Sequence, residues 1–178
     1  VLAPPDMQSY LQQAAQLGYK PKMYIIDKGT GYPEPMRALG DHGIDILSVN
    51  FWSPAYPGKS NYGGYDGQGL VDLYEDQNKG KLYSPCLAYS DASYDVLFDA
   101  LQRAGTSDRA ALLNAIAATD LDTVVGRVKF NEQNYSTQPL GGAQWARDSD
   151  TGKLVKENVF NMVYPNVEKT ADMRLYQQ

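Results

Sequence analysis

Residues 88–134 read AYSDASYDVLFDALQRAGTSDRAALLNAIAATDLDTVVGRVKFNEQN. The spacing predicts a helix over about 90–104, because Ala92, Val96, Leu97, Ala100, Leu101 and Ala104 fall on one stripe at helical period. Ser90 is the expected N-cap and Gly105 the stop. A second helix, expected to be capped by Ser107, carries Leu112, Leu113, Ile116 and Ala117. TVVGRVKF then alternates as a strand, with Val124, Gly126, Val128 and Phe130 on one face and Arg127 and Lys129 on the other. Helix, helix, strand in close succession is α/β organisation.

The rest of the chain continues that organisation. A helix over about 7–17 is expected behind Asp6, with Met7, Tyr10, Leu11, Ala14 and Leu17 on its apolar face and Gly18 as its stop. The apolar runs at 23–26 and about 44–51 read as buried strands of a parallel sheet. A weak helix is expected near 34–39 and another over about 68–79. The chain closes in a hairpin, GAQWARD and KLVKENVFNMVYP around the turn-rich Asp148-Ser149-Asp150-Thr151-Gly152.

Composition excludes several classes of function. The chain has 178 residues, 43% hydrophobic and 21% charged, with a net charge of -5. The acidic balance and the lack of a Lys/Arg run speak against nucleic acid. No apolar stretch approaches the roughly 20 residues that span a bilayer. Cys86 is the single cysteine and His42 the single histidine, so no disulfide, thiolate cluster or two-histidine metal motif is expected. Asp148 and Asp150 resemble the start of a calcium loop, but the twelfth position holds Val159 instead of a bidentate Glu. No metal, cofactor or catalytic nucleophile–base pair is therefore expected. The opening VLAPPDMQ reads like the middle of a domain.

Two segments invite a ligand. DKGTGYP, 27–33, follows the first strand, and ligands of open α/β sheets sit at the carboxyl ends of strands. That makes Asp27 and Lys28 candidate contacts. SVNFWSPAYPGKSNYGGYDGQG, 48–69, packs Phe51, Trp52, Tyr56, Tyr62 and Tyr65 into a segment broken by proline and glycine. With 14 tyrosines overall, the residues point to a binder of small amphipathic ligands more than to an enzyme.

Several stretches in order resemble the type I periplasmic solute-binding proteins of ABC importers, the leucine/isoleucine/valine-binding family. DMQSYLQQAAQLGYKPK is similar to the family's helix leading into A-x-x-L-G-x-K. RALGDHGIDILSVNFWSPAYP is similar to its GD-x-x-x-G run, strand and W-x-P segment. Residues 88–134 resemble its long helix, A-G-S-x-D, second helix and G-x-V-x-F-D-E-x-G. GGAQWARDSDTGKLV…VYP resembles its closing strands. NEQNYS departs from the pattern, and the stretch STQPL and the tail after Pro165 have no counterpart.

The resemblance implies a two-lobe, doubly wound α/β fold with the ligand in an interlobe cleft. It assigns 1–52 and 139–178 to lobe two and 53–138 to lobe one. It makes 48–57 a crossover, which must be irregular and rich in ring surface. It implies ligand contacts at Ala3 and Pro4 before the first helix, at Asp27 for an ammonium with Lys28 beside it, and at Asp91 on the long helix. Trp52 joins them from its place on the crossover. The implied protein is the extracytoplasmic binding component of an ABC importer, periplasmic or tethered outside the cell. It would take an amino acid or a small, even aromatic, carboxylate and hand it to a membrane permease. A ligand-sensing domain of a receptor or regulator on the same fold is the alternative. The family's first half has no match here, so a polypeptide carrying that N-terminal half is an expected partner.

Overall fold

The computed structural model describes residues 2–84, 86–161 and 171–176; the part of the expected hairpin beyond 161 lies outside them. Among the described residues the element order mixes five α-helices and five strands. The chain divides into two compact units, Val1–Phe51 with Leu140–Gln178, and Trp52–Pro139.

In the first unit, α1 (Pro4–Gln16) begins earlier than expected. Ala3, not Asp6, is the N-cap, because Pro4 and Pro5 suit the first helical turn, whose N–H groups need no partner. Met7, Leu11 and Ala14 form the buried stripe, and Gly18 at φ +66° ends the helix. The apolar run at 23–26 is less regular than a full strand. It makes one parallel bridge, Ile25 to Leu47 on β1 (Leu47–Asn50), with hydrogen bonds on either side of it. A turn of 3-10 helix (Lys28–Gly31) and α2 (Pro33–Ala38) follow.

β4 (Gly141–Arg147) and β5 (Leu154–Asn161) return as an antiparallel hairpin, giving the sheet order β1-β4-β5. Leu47 faces Gln144 and Trp145 faces Lys156 in that register. At the hairpin turn the Asp148 carboxylate accepts from the Thr151 hydroxyl and from the Thr151 backbone N–H, each at 2.7 Å, which draws its pKa down. Met7, Leu11, Tyr24, Ile26, Met36 and Trp145 sit at the centre of this unit's core.

The second unit carries α3 (Gly67–Gln77), α4 (Cys86–Ala104), α5 (Arg109–Ala117) and a hairpin of β2 (Asp120–Thr123) with β3 (Gly126–Lys129). Three local expectations need correction. α4 includes Cys86, four residues before the expected cap, because buried Ala88 extends the apolar stripe upstream. Ser90 is inside the helix, its hydroxyl donating to the Cys86 carbonyl at 3.0 Å. The cap of α5 is Asp108 instead of Ser107; its carboxylate accepts from the N–H groups of Ala110 (3.1 Å) and Ala111 (3.0 Å).

The third correction concerns TVVGRVKF, which is a turn and not one strand. Val124 and Val125 form a two-residue loop between Thr123 and Gly126, closed by the Thr123 hydroxyl donating to the Gly126 carbonyl at 2.8 Å. Gly126 takes φ +98°, which glycine tolerates best. Asp120 lies in β2 and pairs with Arg127 (2.5 Å) and Lys129 (2.9 Å) across the hairpin. Those two cations hold its carboxyl far below the usual range.

Candidate ligand site

The loop that follows the first strand is held from three sides of its own unit. Thr30 is fully buried, and its hydroxyl donates to the Ile26 carbonyl at 2.5 Å. Its oxygen also lies 2.8 Å from the Ser48 hydroxyl on β1. Trp145 on β4 donates its indole N–H to the Thr30 carbonyl at 3.0 Å. From the third side comes α1: a Cβ at Gly29 would sit 2.9 Å from the Met7 Cβ and 3.0 Å from the Leu2 carbonyl. Only a glycine lets the loop lie that close to the start of α1.

This clamp fixes Asp27 and Lys28 at the carboxyl end of the strand. Asp27 Oδ1 is enclosed and has no hydrogen-bond partner, while Lys28 is exposed. A buried carboxylate oxygen left unsatisfied is costly, which marks it as a place where a donor belongs. Ala3 and Pro4 are half-buried at the start of α1. Ala3 uses its carbonyl to accept from Met7 N–H at 2.9 Å. The approach of Leu2 and Met7 to Gly29 brings this segment beside the Asp27–Lys28 loop. Four of the six candidate residues are thus drawn together within one unit.

Trp52 and Asp91 belong to the other unit. Trp52 is 1% exposed, donates its indole N–H to the Val124 carbonyl at 2.9 Å, and meets Tyr83 edge-on at 5.8 Å. Its ring surface is spent on the core of that unit. The rest of the aromatic segment is also occupied locally. Tyr56 is buried, and Tyr62 packs edge-on against Phe98 at 5.5 Å while its hydroxyl donates to Gln102 at 2.8 Å.

Asp91 lies in the second turn of α4. It accepts a 2.6 Å hydrogen bond from the Tyr65 hydroxyl, and its Oδ2 is enclosed without a partner. Burial raises its pKa, against the lowering effect of that hydrogen bond.

One turn along α4, the expectations missed Asp95. It is 2% exposed and accepts from the N–H groups of Asn61 (2.7 Å) and Tyr62 (3.1 Å), tying the aromatic loop to the helix. The signal was present in the sequence: an Asp among the apolar positions of the stripe, next to Val96. No group of His, Cys, Asp and Glu suited to a metal ion occurs among the described residues.

The profile of a family described as periplasmic binding protein matches residues 1–152. Among solved structures, the leucine-binding protein LivK of Thermotoga maritima superposes with a TM-score of 0.71 at 22% identity. That match covers 90% of this chain and 43% of LivK. LivJ of Streptococcus pneumoniae, a branched-chain amino acid transporter substrate-binding protein in complex with isoleucine, gives 0.68 at 15% identity, over 89% of this chain and 43% of LivJ. A solute-binding protein of an ABC transporter from Rhodopseudomonas palustris, in complex with 3,4-dihydroxybenzoic acid, gives 0.62 at 14% identity, over 93% and 50%. The chain spans less than half the length of the first two. On the family match and the shared fold, it belongs to the periplasmic binding proteins and makes up part of their type I α/β fold.

Proposed function

We propose that this chain is part of the extracytoplasmic binding component of an ABC importer, and that its ligand is an amino acid held through its ammonium group by Asp27. The observation that carries the reading is the enclosed, unpartnered Oδ1 of Asp27 at the carboxyl end of a strand, on a loop clamped by Trp145, Thr30 and Gly29. A rigid loop loses little entropy on binding, and a charge-assisted hydrogen bond would satisfy the orphaned oxygen. Ala3 and Pro4 would wall the same region, with Lys28 at its exposed edge. The role needs no covalent chemistry, because the released ligand would pass unchanged to the permease.

A second reading has its own support. Exposed Lys28 would suit a small aromatic carboxylate, and the Rhodopseudomonas palustris protein of similar fold is in complex with such an acid. A ligand-sensing domain of a receptor or regulator would use the same site without a permease. Calorimetric titration of the intact gene product with the common amino acids and with hydroxybenzoates separates the two chemistries. Binding of an amino acid that weakens at least about tenfold in Asp27→Asn is the expected result. Binding confined to acids without an amine, unaffected by Asp27→Asn but lost in Lys28→Ala, would overturn the ammonium reading.

A further inference from the structure

Near the start of the first strand, away from Asp27, the first unit holds a cavity of about 190 Å³. Core residues Leu11 and Tyr24 line it from inside, and Tyr19, Lys20, His42 and Tyr176 line it nearer the surface. Tyr24 precedes Asp27 by three residues, so about 10 Å of extended chain separates this cavity from the Asp27 loop.

The wall that Tyr176 supplies is fixed at several points. The fully buried Gln144 amide pairs with Arg174 in both senses, its Nε2 donating to the Arg174 carbonyl and its Oε1 accepting from the Arg174 N–H, each at 2.8 Å. Arg174 Nε donates to the Asp45 carboxylate at 2.8 Å. Tyr176 N–H donates to the Lys22 carbonyl at 3.0 Å, and its ring meets Tyr24 edge-on at 4.8 Å. The cavity is therefore pre-formed, as small-molecule sites usually are. Tyr176 also lies beyond the stretch 1–152 that matches the family.

Size and lining select the ligand. The volume falls below the roughly 300–1,000 Å³ of drug-sized sites, which suits a single ring. Tyr19 and Tyr176 both approach Tyr24 edge-on, the geometry in which aromatic rings attract. The Tyr24 hydroxyl has no hydrogen-bond partner among the described residues, although a buried tyrosine usually finds one. Burial and the neighbouring tyrosines push its pKa up to about 12, which keeps it a neutral donor. Lys20 adds a positive charge. The carboxylates in the adjoining loop are already engaged, Asp41 by Arg147 and Asp45 by Arg174.

We propose that this cavity is a second binding site, for a small aromatic carboxylate, with the ring among Tyr19, Tyr24 and Tyr176 and the carboxylate towards Lys20. It is independent of what the Asp27 loop holds.

NMR titration of the intact gene product, carrying ring-labelled tyrosine, with benzoate reads the site directly. The expected result is saturable shifts of the Tyr24 and Tyr176 ring signals. Exposed Lys20→Glu is expected to weaken that binding at least about tenfold by reversing the charge. Tyr176→Leu is expected to weaken it about fivefold by removing a ring contact. Asp27→Asn and Lys28→Ala, at a separate site, are expected to leave it within about threefold. Benzylammonium, the same ring with the opposite charge, is expected not to shift these signals. If Tyr176→Leu does not fold, Lys20→Glu still decides. Tyrosine signals unmoved by benzoate would overturn the proposal. Benzoate binding lost in Lys28→Ala but untouched by Lys20→Glu would place the acid at the Asp27 loop and overturn it as well. Benzylammonium binding as tightly as benzoate would overturn the carboxylate class.

Discussion

Replacing Trp52 by Phe separates a ligand-stacking role from a structural one. The structure assigns the indole two tasks: its N–H satisfies the carbonyl of fully buried Val124, and its ring packs edge-on against Tyr83. Phenylalanine keeps a ring for Tyr83 but has no donor. A buried acceptor left unsatisfied costs about 1–3 kcal/mol. The smaller ring adds a cavity term, which brings the expected loss to about 2–4 kcal/mol.

For a unit of this size each kcal/mol moves the melting temperature by about 4–8 °C, so a fall on the order of 10 °C or more is expected. Trp52→Ala should be worse, at about 3–5 kcal/mol. The assay is scanning calorimetry of the ligand-free protein, paired with titration of whichever ligand the screen identifies. Trp52→Phe is expected to lower stability while leaving the affinity of the folded fraction within about threefold. A variant that melts within 1 °C or so of the parent while binding falls tenfold would refute the reasoning, and would return Trp52 to the ligand.

Asp95→Ala strips buried acceptors from the Asn61 and Tyr62 N–H groups, and their exchange is expected to quicken at least about 100-fold with α3 unaffected. Gly29→Ala forces a Cβ to 2.9 Å from the Met7 side chain, and is expected to cost about 1–3 kcal/mol and to weaken ligand binding by shifting the Asp27 loop from α1. Lys156 has its Nζ enclosed without a partner, and burial lowers its pKa to about 8 from 10.5. Between those values the unfolded chain binds more protons than the folded one, so stability should rise from about pH 8 to pH 10.5 and stay level below pH 8. Urea melts across that range check the sign, and Lys156→Met is expected to stabilise at pH 7 and to abolish the rise.

Much of this protein is legible from residue spacing. The stripe of Ala92, Val96 and Ala100 announces α4, and Gly18 and Gly105 announce the ends of α1 and α4, because helical period and left-handed glycine are local properties. The order of such segments was enough to place the chain in its family. Local pattern also put Asp27 and Lys28 at the end of a strand. It failed where two solutions are locally equivalent: Ser107 and Asp108 both cap helices, and TVVGRVKF alternates equally well as a strand or as the far side of a tight turn.

What tertiary structure alone decided is the use to which each side chain is put. Nothing near Trp52 in sequence tells that its indole will meet a carbonyl 72 residues away. Nothing near Asp95 tells that its carboxylate will hold a loop more than thirty residues upstream. Burial and hydrogen-bond partners are non-local: they depend on which segments the fold brings within about 3 Å, and the chain between them carries no trace of that meeting. The same holds for Asp27. Its sequence position marked a strand end, but only packing enclosed one of its oxygens and left it unpaired.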